Sequence, residues 1–544
     1  MDGGEKSEVD YSSTTEKREH VDVSEDFDPY EVQNLHRQLK NRHIAMISLG
    51  GVIGTGLFLG TAKSLAEGGP GGLLLGFMVM GTIVFAVMNC LGEMIAYLPI
   101  PGGHIKLAER FVSPGFSFAM GWNYWYNWTI VLPTELSASA VLVNYWITPD
   151  RISNAVWIII FLLIVVAINF CGARVYGEAE FWFASIKIMT ILGLIILGII
   201  IDAGGAPPNH EVIGVRYWQD PGPWVQFNGI PGSLGRFLGF FSVLMNAAFS
   251  FIGTEIVAIA AGETSNPRRN IPKAINKVYI RIILFYVLGT FIIGLLVPSN
   301  DPKLLGSSDN ANTSPFVIAI NNANIQALPH IINACLLSSA WSAASSDLYT
   351  SSRALYGLSI AGNAPKIFAR VSKKRGLPYV ALIFCSLFAF LSFMGITEGS
   401  STVFSWFQAM TSMCGMITWT CIGITYLRFY AGLKAQGIDR STLPFKSPLQ
   451  PYSGYYVVIS TLIILFGSGF KVFLWNQFVV STFITSYLPI PVFFILFVGA
   501  TIWRKSKFVR ASEMDFHSGI AEIEQEALNE EAPTTMMGKF FDSL

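Results

Sequence analysis

Between about residue 44 and residue 504 the chain alternates long apolar runs with short polar connections. The runs number twelve, centred near Gly54, Phe85, Val131, Leu163, Leu192, Gly253, Gly289, Ser339, Phe388, Gly415, Ile464 and Phe494. Each approaches the roughly 20 apolar residues with which a helix crosses the hydrocarbon of a bilayer. The pattern therefore predicts an all-α protein of twelve membrane-spanning helices. Outside this region the pattern changes. Residues 1–43 are rich in Asp, Glu, Ser and Thr and poor in large apolar side chains, which predicts a disordered tail. Residues 505–544 form a second tail, where Ile520, Ile523 and Leu528 stand at near-helical spacing in an acidic segment. That spacing suits docking against the protein or plain solvent exposure.

Two of the runs are not simple helices. The first crowds Gly50, Gly51, Gly54, Gly56 and Gly60 into its middle, and each glycine in a helix interior costs about 0.8–1.0 kcal/mol relative to alanine. Bunched glycines that merely let helices pack closely are one reading. The other is a discontinuous helix whose freed backbone groups line a cavity. A half-helix N-terminus near Thr55 and Gly56 then faces an anionic group, and carbonyls around Gly50 to Val52 face a cation. An α-amino acid carries both charges on neighbouring atoms. Five runs later, Gly253 and the carboxylate Glu255 interrupt a second apolar stretch, 245–262. Interruptions at matching places in two five-helix halves predict an inverted-repeat transporter with its site at the membrane midplane.

Composition agrees with a polytopic membrane protein: 52% of the 544 residues are hydrophobic and 13% are charged, against about 25% charged in a soluble domain. The formal net charge is zero, and no basic excess suggests a nucleic-acid partner. All six cysteines fall in apolar runs and are expected to be buried thiols, with no Cys or His spacing that suits a metal. No zincin or paired-aspartate motif supports an intramembrane enzyme, and the acidic N-terminus is not a signal peptide. Basic residues gather in alternate connections: Lys106 and Arg110, Arg174, then 268–281, 366–375, 428–446 and 504–510. The positive-inside rule places these, and both termini, in the cytosol. The connections 202–232 and 299–313 are then external, and the second holds the sequon Asn312-Thr313-Ser314. The Lys-, Ser- and Thr-containing tails are the natural place for trafficking or ubiquitin-ligase adaptors.

Ionisable residues within spans are expensive and usually functional. Glu93 lies near the cytosolic end of the second run, within reach of the interface. Glu135 is mid-run, after Pro133 in Leu132-Pro133-Thr134-Glu135-Leu136, suited to transport or to structural pairing. Lys187 stands alone in its run, either as a proton-exchanging group or as a stem reaching the interface. Asp347 and Arg353 close the eighth run on a hydroxyl-rich face able to line a polar pathway, with Arg353 expected as a cytosolic anchor. Phe249 directly precedes the second interruption.

Several of these stretches together resemble the yeast amino acid transporter family of fungal permeases, within the amino acid–polyamine–organocation superfamily. They are Gly51-Val52-Ile53-Gly54-Thr55-Gly56-Leu57-Phe58, Gly121-Trp122-Asn123-Tyr124-Trp125, Leu132-Pro133-Thr134-Glu135-Leu136, Phe251-Ile252-Gly253-Thr254-Glu255, Asn266-Pro267-Arg268-Arg269-Asn270-Ile271-Pro272 and Ala364-Pro365-Lys366. The resemblance spans about 40 to 510. It implies a LeuT-like fold of five plus five inverted repeats with two further C-terminal helices. It also implies proton-driven amino acid uptake at the plasma membrane, with the proton as coupling ion and no cofactor.

By this likeness the substrate-binding set is Gly51, Val52, Ile53, Thr55, Gly56, Ala248, Phe249, Ile252 and Glu255, with Phe249 as the aromatic lid. Lys187 matches the lysine that replaces sodium in proton-coupled relatives, and Glu135 joins it as a coupling candidate. The Leu-Pro-x-Glu-Leu form of the third run resembles permeases for neutral or broad substrates. Two departures are Pro101-Gly102-Gly103-His104, and Ser345 where many members have asparagine. Two alternatives stay open. One is an amino acid sensor with little flux. The other is a carrier of another amine, such as a polyamine or choline, which would not need the half-helix N-terminus.

Overall fold

The computed structural model describes residues 53–100, 102–205, 210–256, 278–304, 314–372, 376–474 and 478–518, with the isolated positions 46 and 275. Among the described residues all regular structure is helical. The predicted N-terminal tail, Gly51 and Val52, most of the basic connection 268–281, Asn312 and Thr313 of the sequon, and Ile520, Ile523 and Leu528 lie outside them.

The first run yields a short helix α1 (Thr55–Phe58) that passes through Leu59 into α2 (Gly60–Tyr97). A left-handed Gly69 (φ 74°), followed by Pro70, kinks α2. Next come α3 (Gly103–Phe111) and α4 (Pro114–Val143), whose start is set by Pro114 in the first turn and by Ser113, which accepts the N–H of Phe116 at 3.2 Å. Pro133 inside α4 has no N–H and so leaves the carbonyl of Thr129 without its helical partner.

The chain continues as α5 (Asn154–Phe170), α6 (Ala173–Asp202) and α7 (Gly232–Phe251). A π-helical turn, Ile282–Val287, leads into α8 (Leu288–Leu296), and then come α9 (Leu328–Ile360) and α10 (Tyr379–Leu387). The last helices are α11 (Ser400–Ala435), α12 (Tyr452–Gly467), α13 (Val480–Tyr487) and α14 (Pro489–Trp503).

By length and apolarity five helical stretches among the described residues can cross a membrane alone: Gly60–Tyr97, Ala173–Asp202, Gly232–Phe251, Val278–Leu296 and Tyr379–Thr397. The pair α13 and α14, bent by 41°, makes a sixth. The helices α4, α9 and α11 are longer than several of these, at 30, 33 and 36 residues, but are too polar to qualify. Their Ser, Thr and Asn side chains point inward, where α4 packs between α9 and α11. The apolar surfaces of α6 and α14 face outward, with Met189 71% and Ile495 69% exposed. This inversion is what a bilayer as solvent requires, because buried polar side chains find partners inside the bundle and hydrocarbon covers the rest.

Two expectations are corrected. Cys171 is exposed and Cys335 half-buried, while the other four cysteines are buried; an apolar run has an outward face as well as an inward one. Lys187 does not stand alone, because Glu180, seven residues earlier on the same face of α6, lies 3.5 Å from it.

A third correction is Glu93, expected within reach of the interface and instead held inside the protein. Glu93 is fully buried: its Oε1 accepts from Arg440 Nε at 2.8 Å. Its Oε2 accepts from Arg440 Nη2 at 2.8 Å and from the N–H and hydroxyl of Ser447 at 3.0 and 2.6 Å. The described part of the C-terminal tail lies across α3 and α11. Val509 N–H donates to Val112 O at 2.9 Å, Arg428 donates to Val509 O, and Gln436 donates to the carbonyls of Ala511 and Met514. Phe516 sits fully buried among the rings of Tyr97, Phe111 and Phe429.

Candidate substrate-binding site

Ile53 and Gly54 (φ −124°, ψ −160°) are non-helical, and α1 starts at the next residue with no side chain capping it. Its first-turn amides therefore lack intrahelical partners and carry the positive end of the helix. The Ile53 carbonyl accepts from Ser339 Oγ at 3.2 Å, which pins this end of the break to α9. The second interruption falls where expected: α7 ends at Phe251, Ile252 turns to extended geometry (ψ 142°), and Gly253 takes φ +92°. That region of backbone space is open to glycine and strained for other residues.

The two breaks meet face to face. A Cβ on Gly56 would lie 2.9 Å from Phe249 Cδ1 and from Cα and Oγ of Ser250. The contact of α1 with the end of α7 thus depends on the missing side chain. Between the breaks, α4 and α9, a pocket of about 430 Å³ of empty space, its open mouth included, is lined by Gly54, Gly56, Trp128, Val131, Glu135, Phe249, Ser250, Ile252, Ala343, Asp347 and Thr411.

Glu135 is the link between this pocket and the first break. Its Oε1 accepts the Thr55 hydroxyl at 3.0 Å, and its Oε2 is buried with no hydrogen-bond partner among the described residues. Asp347 Oδ2 and Thr411 Oγ1 are likewise buried and unpartnered there. The pocket therefore offers apolar walls from Trp128, Val131, Phe249, Ile252 and Ala343, with polar atoms converging from three helices. Such a set suits a small ligand with a charged head and an uncharged body.

Of the sequence-predicted residues, Gly56, Phe249, Ile252 and Glu135 line the pocket. Thr55 and Ile53 support it through the hydrogen bonds to Glu135 and Ser339. Ala248 is buried outside the lining, and Glu255 also stands apart, held by Trp419 Nε1 at 3.2 Å. Near Glu255, Arg281 donates to Thr254 Oγ1 at 2.9 Å. Lys187 is away from the pocket lining and faces Glu180, whose Oε2 accepts from Ser342 Oγ of α9 at 2.6 Å. The same face of α9 is held by Asn169 on Ser345 and by Tyr176 on Ser346.

Sequence reasoning left out Trp128, Val131, Ser250, Ala343 and Thr411, and did not carry Asp347 into the binding set. One signal was available: Ala343 and Asp347 are four apart, one above the other on a helix.

The amino acid permease family model matches residues 43–513. The chain is 44% identical over 496 residues to a proline-specific permease of Emericella nidulans, covering 90% of this chain and 89% of that one. It is 43% identical over 488 residues to the dicarboxylic amino acid permease of Saccharomyces cerevisiae, covering 89% of this chain and 80% of the relative. To the lysine-specific permease of Saccharomyces cerevisiae it is 42% identical over 530 residues, covering 96% and 85%.

Proposed function

The chain belongs to the amino acid permease family, a family of integral multi-pass membrane transporters and not of enzymes, and from that membership and the pocket's chemistry we propose that it imports amino acids across the plasma membrane by proton symport. We place the termini in the cytosol and arrange twelve spans as five plus five inverted repeats with two further helices. The substrate range is neutral or broad. The relatives named above carry proline-specific, dicarboxylic and lysine-specific labels at nearly equal identity, so likeness alone does not choose among side chains, and the pocket walls must.

One observation carries the reading. An uncapped helix start and a buried carboxylate with one oxygen unpartnered among the described residues face the same pocket, joined through Thr55 and Glu135. The first attracts an α-carboxylate and the second an α-ammonium group, so a zwitterion satisfies both at once. A polyamine or choline would leave the helix start unanswered, and this favours the amino acid. The binding set is then Ile53, Thr55, Gly56, Phe249 and Ile252 with the backbone of Gly51 and Val52. Ala248 and Glu255 hold the second break in shape. Glu135 and Lys187 are the proton-coupling candidates: Glu135 lines the substrate site, and Lys187 pairs with Glu180 of the same helix.

Uptake of labelled neutral amino acids by a permease-deficient fungal cell expressing the chain tests this. Uptake is expected to rise as external pH falls and to collapse with an uncoupler. Undiminished accumulation without a proton gradient would reject the coupling. Binding without uptake would select the sensor instead.

A further inference from the structure

Asp347 lines the pocket from α9, is 4% exposed, and has an Oδ2 without a partner among the described residues. The neighbouring charged groups come from two helices: Glu135 of α4 lines the same pocket, and the Lys187–Glu180 pair of α6 is joined to α9 through Ser342. On its own helix the nearest cation, Arg353, is drawn away over the ring of Tyr349, 3.3 Å from its centroid. Tyr349 is in turn stacked on Tyr176 of α6 at 3.9 Å. No lysine or arginine is among the pocket's lining residues.

The charges do not balance. Lys187 pairs with Glu180, which leaves Glu135 and Asp347 as two carboxylates on one small, buried pocket. A bound zwitterion brings its carboxylate to the backbone amides and its ammonium to one of the two acids. One negative charge remains uncompensated, and a desolvated, unpaired charge is strongly unfavourable. Only a positive charge removes it, carried either by a proton or by the substrate's own side chain.

We propose that Asp347 is a specificity-determining carboxylate. It holds a proton when a neutral amino acid is bound, and it holds the cationic end of a basic side chain when a basic amino acid is bound. An acidic side chain adds to the imbalance and is excluded. The proposal rests on the reading of this pocket as the amino acid site, and it names the substrate class: neutral and basic amino acids, exchanged against each other by pH.

The test uses the full chain in lipid nanodiscs, with L-alanine and L-lysine as probes and affinities measured between pH 5 and 7.5. If one ligand needs Asp347 protonated and the other needs it ionised, mass action changes the ratio of their dissociation constants by about tenfold per pH unit, with lysine favoured as pH rises. This slope is expected in the unaltered chain, so the proposal does not hang on any variant folding. In D347N the ratio should become flat with pH, and lysine should weaken at least about tenfold relative to alanine; D347E should restore the slope.

Alanine binding with no lysine binding at any pH, or a flat ratio in the unaltered chain, overturns the proposal. So does a slope retained in D347N, which would assign the titrating charge to Glu135. Failure of both probes to bind would instead remove the amino acid reading of the pocket, and this inference with it.

Discussion

The hydroxyl of Thr55, at the first turn of α1, donates to Oε1 of Glu135 in the middle of α4 across 3.0 Å and 80 residues of sequence. This bond joins α1 to the proline-bearing α4, and it holds one carboxylate oxygen while the other has no partner among the described residues. A hydrogen bond to a charged group is worth about 1.5–3 kcal/mol. Replacing Thr55 by alanine should therefore weaken amino acid uptake by roughly ten- to a hundredfold in apparent affinity, whereas T55S should stay near the unaltered value. Equal loss in both variants would mean that the methyl contact, not the hydroxyl, matters.

Glu135 itself separates shape from charge. E135Q keeps an oxygen to accept from Thr55 and nearly the same volume, yet removes the negative charge. Accumulation against a gradient should disappear in E135Q, while the protein still reaches the membrane and melts within a few degrees of the unaltered chain. Full proton-driven accumulation by E135Q would remove Glu135 from the coupling.

Gly56 and Gly357 make a matched pair. A methyl group at Gly56 would press on Phe249 and Ser250 at 2.9 Å, and at Gly357, exposed on α9, it would meet nothing within 4 Å. G56A should lose most uptake, because overpacking costs about 1–3 kcal/mol and is paid where the two breaks touch. G357A should be silent in transport and neutral or stabilising by up to about 1 kcal/mol. The comparison is read from initial rates and from melting of the solubilised protein.

The buried end of α2 depends on Arg440. Removing one member of a buried, hydrogen-bonded pair costs about 3–5 kcal/mol. R440A, which strands Glu93, should lower the melting temperature and surface abundance without altering the affinity of the molecules that fold. E93Q should cost less than R440A, because the amide leaves no unpaired charge. Unchanged melting in R440A would show that the connection after α11 contributes nothing to the fold.

The docked tail predicts a local effect. Phe516 fills a cage of three rings against α2, α3 and α11, and large-to-small changes at buried phenylalanines cost about 3–5 kcal/mol. Only the 505–518 segment needs to release, so F516A should raise proteolysis and hydrogen exchange there and in α3, while exchange in α4 and α9 stays constant.

The positions of the helices were legible in the residues. Each of the twelve run centres lies in a helix or at one of the two interruptions, because a run of apolar side chains and a cluster of glycines are properties of neighbours in the chain. The breaks at Gly54 and Gly253 could be anticipated for the same reason. Side-chain partners were less legible. Lys187 reads as solitary in the sequence, although Glu180 stands seven residues earlier on the same helical face. Glu93 was credited with reaching the interface, and its partner is 347 residues away.

The sequence by itself determined that this chain lives in a membrane, where its apolar helices fall, and to which family it belongs. The tertiary structure alone decided which distant groups meet: that Thr55 and Glu135 bond, that Asp347 shares their pocket, that Glu255 and Lys187 stand outside it, and that Phe516 closes a cage of rings. The division has a physical cause. Crossing a bilayer is a local requirement, met by each stretch of about 20 residues separately. Satisfying a buried charge is a global one, met only by groups that the packing of distant helices brings within about 3 Å of each other.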